Sequence, residues 1–307
     1  MNPLFKGVIP LRKKLKPGDA LFQGIIYVLF GLFTLSCIYP FYYLFINTIS
    51  SNDLSAAGYI KFYPREIHFD NYSKVLRISG LSHAALVSVY RTVIGTLLTV
   101  GASAFLGYLF TKKEMWGRQI WYRSVVVTMY FSAGLIPWYI TMHNLHLTNN
   151  YLAYILPTII TPFNIILVKT FVEAIPPSLE ESASIDGAGY LRVFWSIIVP
   201  LTTPILATIT IFSAVNQWNS FIDTAFLMTD TKYFTLQFLL WRYLNESSSL
   251  AALIRNSPDM AASVQNMQTP TSVRMTVTMI VVLPILIVYP FFQRFFVKGI
   301  MIGAVKG

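Results

Sequence analysis

Six long apolar runs recur along this chain, at 20–46, 86–110, 121–141, 151–171, 201–226 and 273–292, each holding at most a few charged residues. A helix needs about 20 such residues to cross the hydrocarbon core of a bilayer. Backbone groups in lipid have no water to bond, so a helix that satisfies its own amides is the natural form for each run. The expected fold is therefore all-α and polytopic, with about six transmembrane helices. Charged residues make up only 12% of the chain, about half the share found in soluble domains.

The placement of charge gives an orientation. Ahead of the first run stand Lys6, Arg12, Lys13, Lys14 and Lys16 against Asp19; between the second and third stand Lys112, Lys113, Arg118 and Arg123 against Glu114; the end carries Arg294, Lys298 and Lys306. The outer stretches 47–85 and 223–270 are nearly balanced in sign. Basic residues gather on the cytoplasmic side of membrane proteins, so both termini are expected inside the cell. Residues 1–19 then form a cytoplasmic N-terminal segment and 20–307 a transmembrane domain. The first run is too long for the apolar stretch of a signal peptide, and no small-x-small cleavage site follows it.

The net charge of +10 does not make a nucleic-acid binder, because its basic residues lie in blocks beside apolar runs and not in a stripe interleaved with aromatics. The single cysteine, Cys37, excludes an internal disulfide and is read as a small buried apolar residue. His143 and His146 share an i, i+3 spacing but have no acidic or thiol neighbours in sequence. They read as interfacial polar residues and not as a metal pair. Arg91, placed toward the outer end of the second run, is expected to snorkel to the headgroups.

One cytoplasmic segment, 176–200, carries more local structure than a connection needs. Pro176 and Pro177 stop the preceding helix. Ser178 stands three residues before Glu181, the spacing of a capping box. Glu180 and Glu181 fall in the first turn, where the helix dipole favours negative charge. Gly187 is placed to close the helix in the left-handed conformation, and Gly189 permits a second turn. Tyr190 to Ile198 reads as another helix, with Leu191, Phe194, Trp195 and Ile198 on one face and Pro200 at its end. Ala183 and Ala188 leave flat surface for a close neighbour. On physical grounds alone, docking to a protein and lying on lipid headgroups both remain open.

The order Glu181, Ala183, Gly187, Ile197, Pro200 resembles the EAA motif of bacterial ABC importer permeases, E-A-A-x3-G-x9-I-x-L-P, with Ser182 and Val199 as departures. Trp218 and Asn219 followed by Phe221 are similar to a Trp-Asn pattern of carbohydrate permeases of the MalG type. The stretch 289–299 and the ending 303–307 resemble the LplC-like subgroup. The resemblance implies a type I importer permease fold in a bacterial cell membrane. It implies that Glu180, Glu181, Ser182, Ala183, Asp186, Gly187, Ala188 and Gly189 form a coupling helix that fits a separate ATPase. It further implies a second homologous permease subunit, two ATP-binding subunits that hold ATP and magnesium, and an extracytoplasmic substrate-binding protein as partners.

The chain has no G-x4-G-K-[ST] phosphate cradle and no recognisable catalytic constellation, so it is not expected to be an enzyme or to bind a cofactor itself. The centres of the runs hold almost no carboxylate, unlike the ion relays of secondary transporters. An ion-coupled carrier and a membrane scaffold stay as alternatives. The polar groups inside the runs are mostly neutral: Asn164, Asn216, Gln217 and Asn219, beside Trp218. Amides and an aromatic ring suit a sugar, so these five are candidate lining of a substrate pathway; the competing reading is hydrogen bonding between helices, worth about 0.6 kcal/mol per contact.

Overall fold

A computed structural model describes residues 17–245 and 270–304, and none of these is in a strand. The outer stretch expected at 245–268 lies, beyond Asn245, outside the described residues, as do the N-terminal basic cluster and Lys306.

Three helices are long and apolar enough to cross a bilayer unbroken: α1 (Pro17–Thr48), α4 (Leu81–Leu109), and the last helix (Pro270–Ala304) over Thr271–Val288. Between α1 and α4 the outer chain forms two short helices, α2 (Asn52–Ala56) and α3 (Asp70–Leu76). Two further crossings are bent. The 3₁₀ turns Tyr151–Tyr154 and Leu156–Thr158 meet α7 (Pro162–Glu173) at 43°. Pro162 opens α7 and holds Thr161 in an extended conformation, because a proline disfavours helix in the residue before it. The segment Tyr190–Leu201 meets α11 (Thr203–Asn219) at 81°, with Pro204 in the first turn of α11, where its missing N–H leaves no helical bond unmade.

The apolar run at 121–141 is not one helix. It is divided between α5 (Arg118–Thr128) and α6 (Leu135–Asn144), with 129–134 irregular between them. The break falls in the middle of the run and leaves no trace in its hydropathy, which is blind to backbone conformation. Only Gly134 hints at it.

Small residues on α4 set the packing. A Cβ on Gly107 would come within 2.7 Å of Val168 on α7, and one on Gly95 within 2.5 Å of the Gln217 amide on α11. Helices in lipid associate through such close approaches, since burial of apolar surface gives no preference for protein over lipid. A core of Ala104, Tyr108, Val168, Val172, Val193, Phe194, Ile198 and Ile209 joins α4, α7 and α11 to the segment after residue 190. Toward the other end, α4 packs on α3, on the helix over 236–245 (α13) and on Pro270–Ala304 (α14) through Val75, Leu81, Leu236 and Val277. By contrast, α1 exposes most of its length in the isolated chain. Cys37 is exposed on it as well, contrary to the buried position expected.

Candidate functional site

The segment expected to couple is a helical elbow. Its first arm is α8 (Ser178–Ile185). Pro177 already has helical φ and ψ, and its carbonyl accepts from the amides of Glu180 and Glu181. Ser178 is therefore inside the first turn, its side chain caps nothing, and the expected capping box does not form. The other end follows expectation. Gly187 has φ +78°; its amide donates to the Ser184 carbonyl at 3.0 Å, and the Ala188 amide to the Ala183 carbonyl at 2.9 Å. This pair of bonds is the Schellman closure, and only glycine takes that conformation without cost.

The second arm starts with α9 (Tyr190–Val193), passes through a π-helical turn at Phe194–Ile198 and a last helical turn, α10 (Val199–Leu201), and bends at Thr202. Pro200 does not end this arm; it lies within the last turn. The widened turn just before it matches the place where a proline cannot supply a backbone donor. The face expected of Leu191, Phe194, Trp195 and Ile198 divides in two. Phe194 and Ile198 are buried in the core, whereas Leu191 and Trp195 are exposed, since residues four apart share a face and those three apart on a π-turn drift from it. Ala183 and Ala188 also turn inward, against that core, and so do not form the flat outer surface expected of them.

What faces outward is Glu181, Ser182, Asp186, Gly189 and Ile185, the last 86% exposed. Glu180 is engaged inside the chain: its carboxylate pairs with Lys112, three residues past the end of α4, whose ammonium lies 4.2 Å from the centre of the Tyr108 ring. The elbow is thus keyed to α4, α7 and α11 by apolar packing, and pinned by one ion pair.

A polar cavity of about 290 Å³ lies between α4, α7 and α11, lined by Thr161, Asn164, Ser213, Asn216 and Gln217 among others. Three of the five residues expected along a substrate path, Asn164, Asn216 and Gln217, meet here. Asn216 is exposed to the cavity. Asn164 is buried, its amide donating to the Ser213 hydroxyl at 3.2 Å. Trp218 faces elsewhere, with its indole N–H bonded to the Val281 carbonyl on α14, and Asn219 is exposed outside this cavity.

Arg91 does not snorkel. At 1.5 Å per residue it stands about 15 Å inside α4 from its outer end, and its side chain is 1% exposed. Its guanidinium donates to both carboxylate oxygens of Asp223, at 3.1 and 2.6 Å, to Gln217 Oε1 and to the Ser220 carbonyl. Its carbon lies 4.4 Å from the centre of the Tyr154 ring. Asp223 belongs to the short helix α12 (Ile222–Leu227). Gln217 also donates to the Thr158 hydroxyl at 2.7 Å, so its role is to join helices rather than to offer a free amide. This cluster locks α4, α11, α12 and the turns at 151–158 together. Sequence held one signal for it: an arginine ten residues into an apolar helix needs a partner, and Asp223 is the acid in the fifth run.

The family model described as "binding-protein-dependent transport system inner membrane component" matches residues 5–302. The chain belongs to that family. The permease is 34% identical over 290 residues to the polygalacturonan/rhamnogalacturonan transport system permease protein YtcP of Bacillus subtilis, covering 94% of this chain and 99% of that one. It is 36% identical over 270 residues to Protein LplC of the same organism, covering 88% and 90%. Among solved structures it superposes with TM-score 0.81 and 29% identity on a chain of a bacterial ABC transporter involved in the import of the acidic polysaccharide alginate, covering 92% and 99%. The permease is accordingly a multi-pass ABC importer component of the carbohydrate type, and a transport subunit rather than an enzyme.

Proposed function

We propose that the permease forms one half of an oligosaccharide path and takes its driving force from a separate ATPase through the elbow 178–201. Two ATP-binding subunits, carrying ATP and magnesium, would seat the outward face of α8 from the cytoplasm, where both termini of the permease also lie. A second, related permease would complete the path, and an extracytoplasmic binding protein would deliver cargo to it. Closure of the ATPases would push on Glu181, Asp186 and Ile185. Because Ala183, Ala188, Phe194 and Ile198 are packed into the core, that push would tilt α7 and α11 and change the access of the cavity between them.

The observation that carries this reading is the division of the elbow into one face packed inward and another left exposed, with the turn between its arms closed at Gly187. The cavity supports contact with sugar hydroxyls, since its lining amides are neutral and Arg91, its cation among the described residues, is already paired with Asp223. Galacturonate oligosaccharides are the first cargo to try, because a relative is named for polygalacturonan. The test is co-expression with the candidate ATPase. Charge reversal by Glu181→Lys and bulk at Gly187→Trp should abolish co-purification and uptake while membrane insertion is retained. Normal uptake by Gly187→Trp would overturn the proposal.

A further inference from the structure

The break in the third apolar run has no role in the coupling scheme. Residues 129–134 lie midway along a stretch that is otherwise helical and apolar. The amides of Phe131, Ser132 and Ala133 find no hydrogen-bond acceptor among the described residues. Gly134 sits at φ 83° and ψ 179°, a region that only glycine enters readily. Nothing lies within 4 Å of where its Cβ would be, so backbone conformation and not packing requires the glycine. In hydrocarbon, unsatisfied amides of this kind are not tolerated, and irregular backbone at membrane depth survives only where it is buried in protein or lines a water-filled cavity.

The structure places an open groove beside the break. A space of about 710 Å³ is lined by Phe131, Ser132, Gly134, Trp138, Thr158 and Ser220 among others. Thr158 and Ser220 also line the polar cavity between α4, α7 and α11, so the two spaces adjoin. The larger one offers aromatic faces, a serine hydroxyl and free amides. Its carboxylate, Asp223, is held by Arg91. An aromatic surface with a few placed polar groups is the chemistry of a small-ligand site. A pyranose ring matches it, with an apolar C–H face to stack and hydroxyls to accept from the amides.

We propose that the interrupted third span is a second carbohydrate-contacting wall of the transport path. Phe131 and Trp138 stack on sugar rings, and the amides of residues 131–133 donate to sugar hydroxyls. The proposal rests on the carbohydrate-permease reading above, and its test separates the two. Cys37, exposed on the apolar helix α1, is the chain's only thiol and serves as the control for a thiol on an apolar surface. Ser132→Cys and, as a second position, Ala133→Cys are each made with Cys37→Ser. The assembled complex is treated in membranes with a charged methanethiosulfonate.

The introduced thiols should react about tenfold or more faster than Cys37 in the wild-type complex, because water reaches a cavity wall and not the hydrocarbon. Galacturonate oligosaccharides, with the binding protein and a non-hydrolysable ATP analogue, should slow that reaction several-fold. Labelling of both positions as slow as that of Cys37 overturns the proposal, since the break is then covered by lipid or by a partner helix. Fast labelling that cargo leaves unchanged overturns it too, since the wall is then wet but touches no sugar. Uptake of the same cargo by the wild-type complex is measured alongside. Its failure condemns the proposed cargo, while the labelling contrast with Cys37 still decides whether the break faces water.

Discussion

The elbow and the Arg91 cluster both tie α4 to α11, at different depths and by different means. The elbow relies on apolar packing, one part-buried ion pair and a glycine turn whose closing bonds span no more than five residues of sequence. The cluster relies on a buried charge pair whose members are 132 residues apart, joined by a glutamine 126 residues from Arg91. A locally built device can yield without unfolding the protein. A long-range buried pair cannot, because removing either partner strands the other charge. The difference suits the proposed lever at the elbow and an anchor beside the polar cavity.

The largest expected effect comes from breaking the anchor. Arg91→Met leaves Asp223 buried and unpaired, and should destabilise the permease by about 3–5 kcal/mol. Thermal unfolding in detergent measures it. Adding Asp223→Leu should recover most of the loss, since apolar residues can replace a buried pair at little net cost. Failure of the double variant to recover would mean that the cluster's further bonds, to Gln217 and Ser220, matter more than the charge pair itself.

A smaller effect is expected at the elbow. Gly187→Ala should cost about 1–2 kcal/mol through the left-handed conformation alone, as no neighbour crowds the site. The loss should appear as faster hydrogen exchange confined to 178–189, with global unfolding little changed. If Gly187→Ala instead lowered global stability as much as Arg91→Met, the contrast between lever and anchor would fail.

The two regions also differ in how far they could be read in advance. Gly187 announces its turn through its own chemistry, and the apolar runs announce helices. Both signals are local. Ser178 shows the limit of such signals, because the carbonyl of Pro177 took the place that a serine cap would have filled. The pairing of Arg91 with Asp223 was hidden because it depends on which helices become neighbours, and a single sequence carries no direct record of that. The break at 129–134 was hidden for another reason. Met129, Tyr130 and Phe131 are apolar enough to pass as lipid-facing helix, and the cavity that tolerates their irregular backbone exists only once the other helices are in place.

The central claim is that the outer face of α8 meets an ATPase inside the cell. Ile185 is its most exposed apolar residue, so Ile185→Cys with Cys37→Ser gives a single thiol at the centre of the proposed contact. Treatment of the assembled transporter in membranes with a short cross-linker that is thiol-reactive at one end and photoreactive at the other should join the permease to the ATPase subunit, with a yield that changes when ATP is bound. A thiol that reacts only with impermeant reagent added from outside the cell, or that never cross-links to the ATPase, would contradict the account.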